Sequence, residues 1–208
     1  MPINHTILRY EGNIFKKLGI NYSGLTWCEL GNQRYEKAPA KKAYEKSNVK
    51  HTSIDINGLD GAIPLDLDKP VPSSLENKFD IVTNYGTTEH VNNQYSVFKN
   101  IHVMCKVGGL MIHGVPAINN WPDHCRYYYS ELLFRTLAVL CNYVVIDLTL
   151  LSGGKYKPPY NLIMCVLKKA DNHPFTFTTT GMLDSGCLTH VITDEKKKEY
   201  NILTNYHF

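Results

Sequence analysis

Four short apolar runs, each followed by a polar or glycine turn, constrain the fold of this 208-residue chain more than any other feature. They span residues 26–31, 51–55, 79–84 and 109–114. Short apolar runs bounded by turn residues are typical of the buried strands of a parallel sheet. In such a sheet a ligand binds outside the carboxyl ends of the strands. We therefore expect the functional residues directly after these runs.

The segments around these runs predict helices and further strands. The predicted helices span residues 94–105 and 130–140, and two β-rich runs at 143–151 and 162–168 could pair as an antiparallel hairpin. Residues 62–65 form a weaker strand, because Pro64 restricts them to an edge or to a strand start. The order of these elements favours an α/β architecture.

Length and hydropathy indicate one domain without a membrane segment. We divide the chain into a helical lead-in at residues 1–23, a core at residues 24–169 and a C-terminal appendage at residues 170–208. No run of about 18 apolar residues occurs, so we expect no membrane partner. The first ten residues also lack the apolar core of a secretion signal.

Charge and cysteine spacing argue against two further classes of protein. The net charge is +3 with both signs scattered, unlike the basic stripe of a nucleic-acid binder, so no nucleic-acid partner is expected. The six cysteines include no Cys-x-x-Cys pair, which argues against a zinc knuckle and fits a reducing cytosol. We therefore expect a cytoplasmic protein, and the oligomeric state is left open, a homodimer included.

The runs and their turns resemble those of the class I S-adenosylmethionine-dependent methyltransferases over residues 25–168. The matching positions are Glu29 and Gly31 after the first strand, Asp55 after the second, the hydrophobic-Asp-hydrophobic-hydrophobic strand at residues 79–82, and Gly108-Gly109 before the next. The fourth strand leads into Glu89-His90-Val91, as in the small-molecule branch of that family. The resemblance implies a Rossmann-like, mostly parallel, seven-stranded sheet with an antiparallel C-terminal hairpin and helices on both faces.

The resemblance also implies S-adenosylmethionine as cofactor and S-adenosylhomocysteine as product. Gly31 would let the backbone approach this ligand closely, and the Glu29 carboxylate could pair with its ammonium group. Asp55 could accept hydrogen bonds from both ribose hydroxyls, and Asp66 with Leu67 corresponds to the adenine end. The full set of cofactor-binding candidates is Glu29, Gly31, Asn32, Gln33, Asp55, Ile56, Asp66, Leu67, Asn84, Tyr85 and Gly86.

Two positions of this set have structural alternatives. Asp55 could cap the turn at Asn57-Gly58, and Gly31 could be an ordinary glycine between a strand and a loop. The family carries two more glycines after the first strand, where this chain has residues 32–35, so the loop must approach a cofactor differently. Tyr85 is expected to pack against the adenine or the sulfonium, because aromatic faces attract cations.

Glu89, His90 and His124 are the candidate catalytic residues. Methyl transfer needs the acceptor to be aligned and, where it is protonated, a proton to be removed, which suits histidine near neutral pH. The structural alternative is that Glu89 and His90 only cap and pack the following helix. A metal held by Glu89, His90 and a later histidine is less favoured, because Gly86 stands where metal-binding relatives have a glutamate.

The sequence therefore predicts a methyltransferase that transfers a methyl group from S-adenosylmethionine to a small-molecule or sugar-like acceptor. The alternative is a non-catalytic protein on the same fold that binds a nucleoside ligand or acts as a scaffold. A nicotinamide-dependent oxidoreductase fits less well, because the Gly-x-Gly-x-x-Gly turn is absent.

Overall fold

The computed structural model describes residues 4–35, 38–118, 124–153, 160–178 and 188–190. The helices are α1 (His5–Leu18), α2 (Lys41–Lys46), α3 (Gln94–Met104) and α4 (Glu131–Leu140). The strands are β1 (Thr26–Leu30), β2 (Arg34–Tyr35), β3 (Ala38–Pro39), β4 (Lys50–Ile54), β5 (Phe79–Tyr85), β6 (Cys105–Pro116), β7 (Tyr127–Tyr129), β8 (Tyr143–Gly153), β9 (Tyr160–Lys169) and β10 (Leu188–His190). Short 3₁₀ turns span Leu59–Gly61, Ser73–Leu75 and Thr88–His90.

The main sheet has the strand order β4-β1-β5-β6-β9-β8. Its first four strands run parallel, and β9 runs antiparallel to both β6 and β8. This arrangement confirms the predicted Rossmann-like α/β fold with a mostly parallel sheet and a closing antiparallel hairpin. The carboxyl ends of β4, β1 and β5 therefore lie side by side at one edge of the sheet.

The prediction of seven strands is wrong, since the main sheet has six among the described residues. The expected strand at residues 62–65 is reduced to a single bridge between Ile63 and Ile54. The Ile63 N–H donates to the Ser53 carbonyl at 2.8 Å, and the Ile63 carbonyl accepts from the Asp55 N–H at 3.1 Å. The pairing stops after this one residue, where the ring of Pro64 fixes φ at about −65°, away from the values of a parallel strand.

Helices cover both faces of the sheet, as the resemblance implied. Alternate strand residues point to opposite faces: Trp27 packs in the core beneath α1 and α2, whereas Cys28 packs in the core beneath α3 and α4. Because both faces are buried, β1, β5 and β6 are rich in apolar residues, whereas β4 at the sheet edge has only Ile54. This is the pattern from which the sheet was predicted.

Local capping explains where two helices begin. The Asn4 side chain accepts from the N–H groups of Thr6 and Ile7 at the start of α1. Ser130 accepts from the Leu133 N–H at the start of α4, as the sequence predicted. Such caps typically contribute about 1 kcal/mol each. Within the described residues, no helix is long and apolar enough to cross a membrane.

The described part of the C-terminal appendage packs against the core. Phe177 is buried in the α3–α4 core, and the ring of Phe175 contacts those of Tyr95 and His102. Strand β10 pairs antiparallel with β7. The remainder of the predicted appendage lies outside the described residues.

Candidate active site

A cleft of about 260 Å³ lies at the carboxyl ends of β1 and β4. Five of the predicted cofactor-binding residues line it, together with one predicted catalytic residue: Gly31, Asp55, Ile56, Asp66, Leu67 and His90. The parallel direction of the strands explains this convergence, because it places the loops after β1, β4 and β5 at one edge. The cleft is where a nucleoside-like ligand is expected in such a sheet.

Gly31 lies where the side chain of any larger residue would clash with its neighbours. Its φ is +75°, and an added Cβ would lie 2.6 Å from Thr87 Oγ1 and 2.7 Å from Gln33 Nε2. Thr87 Oγ1 donates to the Leu30 carbonyl at 2.7 Å and accepts from Gln33 Nε2 at 3.3 Å. The Gln33 side chain therefore fills the space beside Gly31, in the loop that departs from the family's glycine pattern.

Asp55 caps the turn at Asn57-Gly58, which was its structural alternative, and its carboxylate also contacts the loop after β1. Its Oδ1 accepts from the Asn57 N–H at 3.0 Å, which closes the turn, and its Oδ2 accepts from the Asn32 N–H at 2.8 Å. The residue also lines the cleft, and each carboxylate oxygen can accept a second hydrogen bond. The Asn32 side chain contacts the Leu59 carbonyl and Asp60 instead.

The far end of the cleft combines an ionised carboxylate with apolar walls. A hydrogen bond from the Asp68 N–H and the nearby Lys69 ammonium lower the pKa of Asp66. Ile56, which is 74% exposed, and Leu67, which is buried, supply apolar surface. This pairing of apolar surface with a few polar groups is typical of small-molecule sites.

Glu29 lies outside the cleft lining, on the face of the sheet covered by α1. Its side chain is 1% exposed, with Oε2 3.8 Å from His51 Nε2. Burial raises the pKa of Glu29 to about 8, partly opposed by the Gln33 N–H, and burial lowers the pKa of His51 to about 4. Near neutral pH this pair is therefore a protonated carboxyl group beside a neutral imidazole.

The side chains of the last two residues of β5 point into the two cores rather than into the cleft. Tyr85 is completely buried on the α1 face, where its hydroxyl donates to Glu11 Oε2 at 2.8 Å. Asn84 points to the α3 face and accepts from the N–H groups of Thr87 and Thr88. The expected packing of the Tyr85 ring on a ligand does not fit this geometry. Gly86 follows with φ +80° and forms the turn.

The three candidate catalytic residues lie together. One side-chain oxygen or nitrogen from each of Glu89, His90 and His124 lies within 4.8 Å of the others. Glu89 is 1% exposed, and its Oε2 has no hydrogen-bond partner among the described residues. His90 lines the cleft, and its ring centroid is 5.4 Å from that of His124. The cluster therefore lies beside the predicted cofactor site.

Burial sets the protonation of this cluster. It raises the pKa of Glu89 to about 7, lowers that of His90 to about 4, and lowers that of His124. Near neutral pH both imidazoles are neutral, so each has a nitrogen lone pair available. One carboxylate and two imidazoles at this spacing can accept protons, and they also match the donor set that a divalent metal takes.

A buried hydrogen-bond network, which sequence reasoning missed, holds the turn that carries Glu89 and His90. The Tyr129 hydroxyl lies 3.0 Å from Thr88 Oγ1 and 2.9 Å from Gln94 Oε1. Gln94 Nε2 donates to the carbonyls of Thr88 and Val91, both at 2.7 Å. The aromatic run at residues 127–129 was the available signal, although it did not distinguish Tyr129 from its neighbours.

Comparisons with known proteins identify the fold. Neither a family model nor a curated protein sequence matches the chain. Solved structures do match. The Burkholderia thailandensis 1,6-didemethyltoxoflavin-N1-methyltransferase, solved with its substrate and S-adenosylhomocysteine, has a TM-score of 0.59 at 12% identity over 78% of this chain and 77% of that chain. The chain has the methyltransferase fold.

Two further structures support this assignment of the fold. The N-methyltransferase NodS from Bradyrhizobium japonicum WM9, in complex with S-adenosylhomocysteine, has a TM-score of 0.54 at 12% identity, covering 81% of this chain and 89% of that one. The [4+2]-cyclase SpnF has a TM-score of 0.60 at 13% identity, covering 78% of this chain and 81% of that one. Because one of these proteins is a cyclase, the methyltransferase fold does not by itself decide the reaction.

Proposed function

We propose that this protein is a methyltransferase that transfers a methyl group from S-adenosylmethionine to a small-molecule acceptor. The observation that carries the proposal is the cleft at the carboxyl ends of β1 and β4. It brings Gly31, Asp55 and Asp66 together beside the Glu89–His90–His124 cluster. Two proteins that share the fold are described with bound S-adenosylhomocysteine, which supports the choice of cofactor.

The residues of the cleft fit this cofactor in their chemistry. Asp55 retains lone pairs for the ribose hydroxyls, while its bonds to backbone N–H groups hold the carboxylate in place. Ile56 and Leu67 would hold the adenine between apolar surfaces, and Asp66 would accept from its amino group. Gly31 lets the Thr87 and Gln33 side chains pack against the backbone at the cleft wall, where a Cβ would clash with both. S-adenosylmethionine supplies an electrophilic methyl group on a positively charged sulfur.

His90 and its neighbours act at the acceptor end. His90 lines the cleft, and its imidazole is neutral near pH 7, so it can take the proton that an acceptor oxygen or nitrogen releases. The buried Glu89 and its neighbour His124 would orient the His90 imidazole, since a side-chain oxygen or nitrogen of each of the three lies within 4.8 Å of the others. Asn84, Gln94 and the Tyr129 hydroxyl hold the turn, so that these side chains are positioned before the acceptor arrives.

A small acceptor is favoured over a nucleic acid. The net charge of +3 with both signs scattered provides no basic stripe for a phosphate backbone. A cytoplasmic location and a homodimer are further parts of the proposal, to be tested by fractionation and by the mass of the purified protein in solution.

Calorimetry with S-adenosylhomocysteine tests the cofactor site. We expect saturable binding that Asp55→Ala weakens by about tenfold or more, with Asp60→Ala as the matched control on an exposed neighbouring carboxylate. Turnover is tested with S-adenosylmethionine carrying a deuterated methyl group and a pool of small metabolites. A labelled product in mass spectra supports methyl transfer. If the product still forms after the protein has been treated with a chelator, the reaction does not need a metal ion.

The alternative is a protein that binds a nucleoside ligand without turnover. The observation that favours it is the Gln33 side chain, which fills the space beside Gly31 where the family has further glycines. Binding of S-adenosylhomocysteine without any labelled product would support this alternative. If neither S-adenosylmethionine nor S-adenosylhomocysteine binds, a scaffold role is favoured instead.

A further inference from the structure

A second cavity, of about 260 Å³, lies between α1 and α2 on the face opposite α3 and α4. We call it the α1–α2 cavity. It is separate from the cleft: Gly31 lines the cleft, whereas Tyr35 and Ala40, further along the same loop, line this cavity. The proposed methyl transfer makes no use of it.

Three tyrosines form its walls, namely Tyr22, Tyr35 and Tyr44. Two of them are held by the core beneath. The ring of Tyr22 stacks on that of Trp27 with an interplanar angle of 4°, and the ring of Tyr44 lies 4.6 Å from Trp27 between centroids. Several aromatic rings around one space attract a cation, because each ring face carries partial negative charge.

A buried carboxylate, Glu11, completes the cavity wall. It is 2% exposed, and its Oε2 accepts from the hydroxyls of Tyr44 at 3.1 Å and Tyr85 at 2.8 Å. Two tyrosine hydroxyls could bind a glutamine oxygen equally well, so the hydrogen bonds alone do not explain an acid at this position.

No cation of the described chain neutralises this region. Among the described residues, no lysine or arginine forms an ion pair with Glu11 or with Glu29, the second buried acid on this face. Burial raises the pKa of Glu11 to about 7, and Glu11 in turn contributes to the raised pKa of Glu29. A buried carboxylate is normally paired or neutral, so a cationic ligand would stabilise its charged form.

We infer that the α1–α2 cavity binds a small organic cation, with an alkylammonium or quaternary ammonium group between the tyrosine rings and against Glu11. The size of the cavity is adequate, because an engineered cavity of about 150 Å³ already takes up benzene. The inference does not depend on the proposed methyl transfer, and its tests measure binding alone.

Choline and its neutral isostere 3,3-dimethylbutan-1-ol are suitable probes, since they differ by one charge at nearly equal shape. Trp27 contacts two cavity tyrosines and can report binding by fluorescence once Trp121, the other tryptophan, is replaced by phenylalanine. We expect a saturable change with choline and binding of the isostere weaker by about tenfold or more, or about 1.4 kcal/mol. Equal binding of the two probes, or no saturable change with choline, overturns the inference.

Glu11→Gln separates charge from hydrogen bonding, because the amide oxygen still accepts from both tyrosine hydroxyls. We expect it to weaken choline binding by about tenfold while calorimetry with S-adenosylhomocysteine is unchanged. The matched control is Glu45→Gln, which removes a carboxylate from the exposed side of α2. Unchanged choline affinity in Glu11→Gln contradicts the inference.

Tyr35→Leu is a second variant in case Glu11→Gln does not fold. Tyr35 is half-buried at the edge of the cavity, so leucine preserves apolar contact while removing the ring face. We expect choline binding to weaken severalfold and binding of the neutral isostere to change little. An equal loss for both probes would indicate that only shape had changed and would count against a cation site.

Discussion

Two buried glutamate–histidine groups, one between β1 and β4 and one in the turn after β5, differ in their access to ligands. Glu29 and His51, on the α1 face, are closed off from solvent. Glu89, after β5, is equally buried, but His90 beside it forms part of the cleft wall. Only the second group can meet a ligand in the cleft.

The pKa shifts alone do not distinguish these two groups. Burial raises the pKa of both glutamates, Glu29 to about 8 and Glu89 to about 7, and lowers the pKa of both histidines to about 4. Perturbed pKa values are often used to find functional sites. Here access to the cleft distinguishes the two groups, because a residue with a shifted pKa acts on a substrate only where it can contact one.

Replacing His90 should separate the two groups most clearly. We expect His90→Ala to lower the rate of methyl transfer by about 10²- to 10⁴-fold, because the proton acceptor is lost. Affinity for S-adenosylhomocysteine, measured by calorimetry, stays within about twofold.

The matched variant on the other face is His51→Ala. We expect it to lower the melting temperature, since it empties a buried site, while the rate per folded molecule is unchanged. A loss of rate in His51→Ala as large as in His90→Ala would show that the two groups are not functionally different.

The next effect concerns the pH dependence of stability through Glu29. Its pKa is about 8 in the folded protein against 4.5 ordinarily, so the folded state binds the proton more tightly. The contribution of the Glu29 carboxyl to the free energy of unfolding is therefore fully present below about pH 4.5. It is lost as pH rises through about 8, by at most about 1.4 kcal/mol per pH unit. Glu29→Gln should remove this part of the pH dependence.

Urea titrations of both proteins at several pH values measure this difference. Glu11 and Glu89, also with raised pKa values, contribute in the same direction and are unchanged by the substitution. Parallel curves for the wild type and Glu29→Gln across this range would mean that Glu29 is not buried as described.

A smaller effect is expected at Gly31, and it tests whether the ligand binds in the cleft beside this residue. Gly31→Ala would place a Cβ against Thr87 and Gln33, and it would also strain a backbone with φ +75°. We expect affinity for S-adenosylhomocysteine to fall by about tenfold. Gly24→Ala is the matched control, because φ is +82° there and nothing lies within 4 Å of the added carbon.

Both alanine variants should lose about 1 kcal/mol of stability from the left-handed backbone. Only Gly31→Ala should lose affinity in calorimetry. If Gly24→Ala weakens binding as much, the effect comes from general destabilisation rather than from the cleft.

The smallest expected effect concerns the network behind the Glu89 turn. Tyr129→Phe removes a hydroxyl that lies beside Thr88 and Gln94, at a cost of about 1 kcal/mol. We expect the transfer rate to fall severalfold with little change in cofactor affinity. Tyr95→Phe, on α3, is the control, and equal rates in the two variants would remove Tyr129 from a positioning role.

Much of the fold could be predicted because its signals are local. The apolar runs located β1, β4, β5 and β6, and the Ser130 cap marked the start of α4. The seventh strand was overpredicted, although Pro64 carried the warning, because a four-residue run did not reveal that pairing would stop after Ile63. The convergence of Gly31 and Asp55 followed from strand direction, whereas Asp66 was expected from the family resemblance.

The directions of individual side chains could not be predicted in the same way. Asn84 and Tyr85 point to opposite faces of the sheet by strand alternation, but the side chains that each meets come from distant segments. Tyr129 reaches Thr88 across 41 residues, and Glu11 reaches Tyr85 across 74. Such contacts depend on how distant segments pack, which no local pattern encodes.

Local sequence patterns were enough to predict the strands in their order along the chain, the helices between them and the edge of the sheet where polar residues lie. The packing of distant segments placed Tyr85 outside the cleft, His90 in the cleft wall, and Glu11 beside the hydroxyls of Tyr44 and Tyr85. The physical reason is that strand periodicity assigns residues to two alternating faces. Burial on a given face depends on which helix covers it.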